Sequence, residues 1–226
     1  MEPAVADFRA QYRAQIAPRY RGAAHGLAVA VMGVAFLGGA LALWGVPGWD
    51  QVALIAANLI FANFAIYLIH RSLGHHLRGF AKQFYQRHTK EHHNFFSPEA
   101  IAWENARDLR VVFFPLPLLF VVAAAAGGVA YLVAEARTPA DGAAVFCTTL
   151  SYYLAYELIH FCDHLPEGHI VTRLPGFRYM RAHHRAHHAP RRMHSMNFNI
   201  VFPLADLVLG TLVPRAELDF DGPPEG

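Results

Sequence analysis

Between Tyr156 and His188 the chain reads YELIHFCDH and then, after a loop, HHRAHH, a density and spacing of imidazoles suited to holding metal ions. Residues four apart share one face of an α-helix with Cβ atoms about 5–6 Å apart. His160 with His164, His183 with His187, and His184 with His188 can therefore each grip one ion. A doublet such as His187-His188 aims its rings about 100° apart, so one ring can serve a first metal and the other a second. An earlier stretch repeats the order: YLIHRSLGH carries His70 and His75, and HTKEHH carries His88, His92 and His93. Two half-sites are expected. The step from His70 to His75 is a rotation of about 140° on a straight helix. Both can face one centre only if the helix loosens, and Gly74 stands where it would loosen. A lone histidine beside an apolar run is ordinarily an interfacial residue. Here most of the 15 histidines fall in two windows, 70–93 and 160–194, with one motif order in each. Their interleaving with structured sequence excludes a purification tag.

The elements that must carry these rings are apolar. The 226 residues are 54% hydrophobic with a mean hydropathy of +0.22, too apolar for an ordinary soluble domain. Four stretches, approximately 27–46, 52–69, 111–134 and 143–159, are long enough to cross a bilayer, which takes about 20 residues. The turn Pro47-Gly48-Trp49-Asp50 joins the first two, and a segment with Thr138-Pro139 and Asp141-Gly142 joins the last two, giving two hairpins. Pro115 and Pro117 are expected to kink the third span. The fold class is an all-α integral membrane protein with four transmembrane helices and a helical cap, 70–110 and 160–215, holding a dinuclear metal site.

Residues 1–24 read as an amphipathic helix on the membrane surface, with Arg9, Arg13, Arg19 and Arg21 beside Phe8, Tyr12, Ile16 and Tyr20. Residues 25–215 read as one membrane-embedded domain, and 216–226 as a disordered tail. With no cleavage site before the first apolar run, that run is expected to be retained. Of the 19 Lys and Arg residues only Arg137 lies in the loop between the last two spans. The positive-inside rule then places both termini and the histidine cap on the cytoplasmic face. No separate basic face points to nucleic acid. Cys147 and Cys162 form no C-x-x-C pair and read as structural thiols. The stretch from Phe198 to Val213, broken by Pro203 and Asp206, reads as an interfacial segment beside the site, lining a route for a lipid chain.

The order H-x4-H, H-x3-HH, H-x3-H, H-x2-HH resembles the fatty acid hydroxylase and sterol desaturase superfamily over about residues 64–212. Tyr67 and Tyr156-Glu157 precede their motifs as that family's aromatic and acidic residues do. RVVFFPLP at 110–117 is similar to the arginine-to-proline stretch of the lipid alpha-hydroxylases, the branch closest in pattern. FPLADLVLGTL at 202–212 is similar to the closing aromatic-Asp-x-x-x-Gly-Thr signature. The chain departs from that branch in H-x3-HH at His88, where H-x2-HH is common, and in Ala205, where the signature has an aromatic. Nothing resembles the haem-binding domain fused to some relatives.

The resemblance implies two iron ions, for which zinc can substitute, held by His70, His75, His88, His92, His93, His160, His164, His184, His187 and His188. His183 is an alternate to His184, and His76 and His194 are substitute or supporting ligands. The implied activity is an O2-dependent di-iron lipid hydroxylase acting on an aliphatic C–H of an acyl chain, with chemistry at the metals and electrons from a separate donor protein. Desaturation, or a sterol or carotenoid substrate, are near alternatives. Asp163, Glu157, Glu91 and Asp206 are candidates to accept the second ring N–H of a ligand. A membrane zinc hydrolase is the competing class, but such sites need about three ligands and a base. Metal transport would place ligands near mid-membrane rather than at one end of the spans.

Overall fold

The computed structural model describes residues 3–220. Among them the chain is helical, with one isolated bridge between Ser97 and Ala100 and no strand. Helices α1 (Pro3–Gln15), α2 (Gly22–Trp44) and α3 (Val52–Ile69) open the chain. Three single turns follow, α4 (Lys82–Tyr85), α5 (His93–Phe95) and α6 (Leu109–Val112). Then come the long α7 (Leu116–Ala136) and α8 (Pro139–Asp163), the short α9 (Ile170–Arg173), α10 (Pro175–His187) and α11 (Leu204–Val208). Two π-helical turns, His70–Gly74 and Gln86–His92, interrupt the α geometry.

Three helical stretches among the described residues are long and apolar enough to cross a membrane, Gly22–Trp44, Trp49–Gly74 and Leu109–Ala136, which marks a membrane protein. At about 1.5 Å per residue α2 alone reaches about 34 Å, against a hydrocarbon core of about 30 Å. The fourth expected span falls within α8, which has the length, at 25 residues. Asp141, Thr148, Thr149, Ser151 and Glu157 dilute its apolar character, and it is not one of the three. The expected proline kink is a break instead. Phe113 to Pro115 separate α6 from α7, and Pro117 sits in the first turn of α7, where no intrahelical N–H is needed.

Contacts divide the chain into two compact units. One comprises Ala23–Ala62 and Phe114–Glu157. Its core packs Leu119, Ala123, Ala126 and Ala130 of α7 against Val145, Phe146, Leu150 and Tyr153 of α8. Small residues let the two backbones approach closely. A Cβ on Gly142 would lie 2.7 Å from the Ala130 carbonyl oxygen. Buried amides tie α3 to α8, since Asn58 Nδ2 donates to the Val145 carbonyl at 3.1 Å and to Thr149 Oγ1 at 3.0 Å. Apolar side chains such as Val34, Phe61 and Leu132 point outward, the pattern lipid would cover.

The other unit takes in the residues up to Gly22, Asn63–Phe113 and the described chain from Leu158. Here α1 departs from the expected surface helix. Arg9 is only 2% exposed, and its guanidinium donates to the carbonyls of Phe95, Ala100 and Ala102 and to Glu104. Arg13 pairs with Asp108 and Glu104, each at 2.7 Å. The irregular chain from Phe95 to Glu104 leaves carbonyls without helical partners, and a five-donor guanidinium answers that need. Phe95, Phe96, Ile101 and Val112 close a core beside it. In the closing segment Phe198, Ile200 and Ala205 are buried while Phe202, Leu207 and Val208 are exposed. The expected disorder does not extend to the start of the tail: Leu218 is buried and Glu217 pairs with Arg192 at 2.8 Å. Residues 221–226 lie outside the described residues.

Candidate metal centre

The first π-turn begins at His70 and ends just before His75, and the second holds His88 and ends just before His93. A π-turn bonds residue i to i+5, so residues five apart come nearly into line. Each π-turn thus aims a five-spaced pair at one point. The Nε2 atoms of His70 and His88 lie 2.8 Å apart, those of His70 and His75 3.2 Å, and those of His88 and His93 3.2 Å. His187 joins them, its Nε2 3.0 Å from that of His75. The donor atoms of these five rings, all buried, lie within 4.8 Å of one another.

A second group is built on α-helical spacing. His164 sits at the end of α8 and His184 and His188 on the last turn and cap of α10, with Nε2 separations of 3.0 Å for both His164–His184 and His184–His188. His92 completes it, 3.1 Å from His188, and these four donor sets also lie within 4.8 Å of one another. His160, one turn before His164, brings its Nε2 to 3.2 Å from that of His92, at the edge of this group. The doublets divide: His93 and His187 face the first group, His92 and His188 the second.

The opposite ring nitrogens show which atom carries the proton. Nδ1 of His70 lies 2.5 Å from the Phe198 carbonyl oxygen and Nδ1 of His187 2.8 Å from that of Met196. In the second group, Nδ1 of His92, His164 and His188 meet the carbonyls of Val111, Ile101 and Phe96 at 3.1, 2.6 and 3.0 Å. Thr89 Oγ1 donates to the Gly74 carbonyl and accepts from Nδ1 of His75 at 3.4 Å. A carbonyl oxygen only accepts, so Nδ1 is the donor and Nε2 keeps its lone pair. For these six rings the inward Nε2 is therefore a bare lone pair, free to bind a cation.

That donor set fits a divalent cation. Metal–imidazole bonds of about 2.0–2.1 Å place adjacent ligands about 3 Å apart, close to the separations found here. Burial holds His75, His88, His92, His93, His164, His184, His187 and His188 below the ordinary imidazole pKa, with neighbouring imidazoles adding to the effect. The rings are thus kept neutral, as ligation requires. Phenylalanines seal both groups. Phe198 stands edge-on to His70 and His187, and Phe96 lies 4.1 Å, centroid to centroid, from His164.

Other sequence candidates fall elsewhere. His183 is buried but belongs to neither group. It lies against Tyr179, with its Nε2 3.7 Å from Asp206. His76 and His194 are exposed, His194 reaching only the edge of the His75 ring. None of the four carboxylates takes a ligand's N–H. Glu157 accepts from Tyr153 and Glu91 from Tyr12 and Arg87. Asp206 accepts backbone N–H groups, and the Asp163 carboxylate oxygens have no hydrogen-bond partner. Cys162 is buried, which pushes its thiol up to about 11, and it stays outside both groups. The supporting groups that sequence reasoning missed are main-chain carbonyls, which no residue type announces. The left-handed Asn197 (φ 56°) lies between two of them.

Fold and site together define a helical membrane protein with two buried histidine clusters that could each bind a metal. A model of the fatty acid hydroxylase family matches residues 55–211, more than half of the chain and all of both clusters. The chain belongs to the fatty acid hydroxylase family, within the fatty acid hydroxylase and sterol desaturase superfamily. No curated protein and no solved structure matches it.

Proposed function

We propose that this protein is a membrane di-iron oxygenase that hydroxylates an aliphatic C–H of a lipid acyl chain. The observation that carries the reading is the convergence of Nε2 atoms in two adjoining groups, with His70, His75, His92, His164, His187 and His188 each oriented by a bond at Nδ1. In this reading His70, His75, His88, His93 and His187 hold one ion, and His92, His160, His164, His184 and His188 the other. Bound ferrous ions supply what side chains lack, delivery of electrons to O2 to make an oxidant able to attack an unactivated C–H. One oxygen atom enters the C–H bond and the other leaves as water, using two electrons from an external donor protein and two protons from solvent.

The chain's own groups do the rest. Neutral imidazoles bring no negative charge to an apolar substrate, and the carbonyls of Phe96, Ile101, Val111, Met196 and Phe198 fix ring orientation. Phe96 and Phe198 keep water from the rings. With α8 as a fourth span and the basic residues on the cytoplasmic side, the histidines sit just outside the bilayer and an acyl chain enters from it. The RVVFFPLP stretch favours the lipid alpha-hydroxylase branch over desaturation.

A zinc hydrolase is disfavoured by the ligand count. Among the described residues both groups consist of imidazoles alone, five and four of them, and no carboxylate joins either group as the base of a three-ligand zinc site would. Metal analysis of the purified protein with a lipid assay tests the proposal. Two irons per chain and O2-dependent addition of one oxygen to an acyl chain are expected, and oxygen-independent ester cleavage would overturn it.

A further inference from the structure

The two groups differ in what holds their outer nitrogens. The second group leans on carbonyls at Phe96, Ile101 and Val111, scattered over the chain. The first leans on two carbonyls from three consecutive residues, Met196 for His187 and Phe198 for His70. Whatever fixes residues 196–198 therefore aims two rings at once.

What fixes them is a buried carboxylate. Asp206 has no solvent exposure. Its Oδ1 accepts from the Phe198 N–H at 2.8 Å and from the Thr211 hydroxyl at 2.8 Å, and its Oδ2 accepts from the Asn199 N–H at 2.7 Å. Asn197, in its left-handed conformation, completes the brace. Its N–H donates to the Thr211 carbonyl at 2.9 Å, its Nδ2 donates to the His183 carbonyl at 2.9 Å, and its Oδ1 accepts from the Val213 N–H at 2.8 Å. Charge-assisted bonds to a carboxylate are about twice as strong as neutral ones, so Asp206, on α11, is the anchor of the 198–199 backbone.

We propose that Asp206, with Thr211, is the positioning residue of the first histidine group alone, acting through the Phe198 and Met196 carbonyls on His70 and His187. This rests on the two-metal reading of the site. Asp206→Asn puts an amide N–H against one of the backbone N–H donors and turns the 196–198 loop, whereas the carbonyls serving the second group lie on other segments.

The test is a Co2+ titration of the detergent-purified, metal-free full chain, following ligand-field absorption and ions bound per chain. The expected result is two tightly bound ions in the wild type. In Asp206→Asn one is unchanged and one is weakened about 10- to 100-fold, the range for partners of metal ligands. Thr211→Val should weaken the same ion less, and Thr211→Ser, which keeps the hydroxyl, should restore it. If Asp206→Asn fails to fold, the Thr211 pair decides. Two ions bound as in the wild type by the Asp206 and Thr211→Val variants, or equal weakening of both, would overturn the proposal. A wild type that binds fewer than two ions would overturn the two-metal reading and this inference with it.

Discussion

The first histidine group is built from pairs five residues apart, His70/His75 and His88/His93, and the second from pairs four apart, His160/His164 and His184/His188. One side of the site takes its pairs from π-turns and the other from α-helices, with His92 reaching the second group from the end of the second π-turn. The same cage of imidazoles is reached by two backbone geometries. The π side depends on close packing that the α side does not require: a Cβ at Gly74, which ends the first π-turn, would lie 2.9 Å from His88 Cδ2 and 3.3 Å from His70 Cδ2.

The sharpest way to break this contrast is to remove the crossed ligands. His187→Ala takes a ring from the first group and His92→Ala one from the second, and both should abolish turnover while each leaves the other group's ion bound. Metal content and lipid oxidation measured together check this, and near-normal turnover in either variant would remove that histidine from the ligand set. Next in size is Gly74→Ala, which crowds two rings of the first group only. A loss of about 10- to 100-fold in affinity for one ion, with the other unchanged, is expected by metal titration.

Acid should act on both groups alike. The buried imidazoles are held neutral, with pKa values below that of the unfolded chain, about 6.5. Below that pH the unfolded state takes up more protons than the fold. Stability of the metal-free protein should therefore be level above about pH 6.5 and fall as the pH drops further. Denaturant unfolding in detergent at pH 7.5 and 5.5 reads this, and greater stability at the lower pH would contradict neutral rings. The smallest effect belongs to Phe96→Leu and Phe198→Leu, which keep the carbonyls that serve His188 and His70. Each should cost about 0.5–1.5 kcal/mol of ring packing in a thermal melt, with both ions retained.

Much of this site was legible from residue type alone. The paired spacings, the division of labour within a doublet and the need for a looser helix before His75 follow from helix geometry, and a π-turn ending at Gly74 supplies the looseness. The second π-turn was not legible. His88 and His92, four apart, read as one face of an α-helix, yet the backbone sends His88 to one group with His93 and His92 to the other. That His184 rather than His183 joins a buried group also needed three dimensions, because the HHRAHH run fits either register until α10 is placed. The arginines of α1 looked like a membrane-facing fringe. Their role as donors to a carbonyl-rich loop depends on main-chain atoms, which carry no signature in sequence. Among the described residues three of the four expected spans stand out by hydropathy, since length marks α8 but its polar side chains dilute it.

The crossing of the doublets bears on how the molecule is made. His187, near the end of α10, is borrowed by a cluster whose other members were all laid down by residue 93. On a growing chain that earlier cluster stays one ligand short through almost a hundred further residues. The second group likewise waits for His188, the next residue, so both sets of rings are completed together at the end of α10.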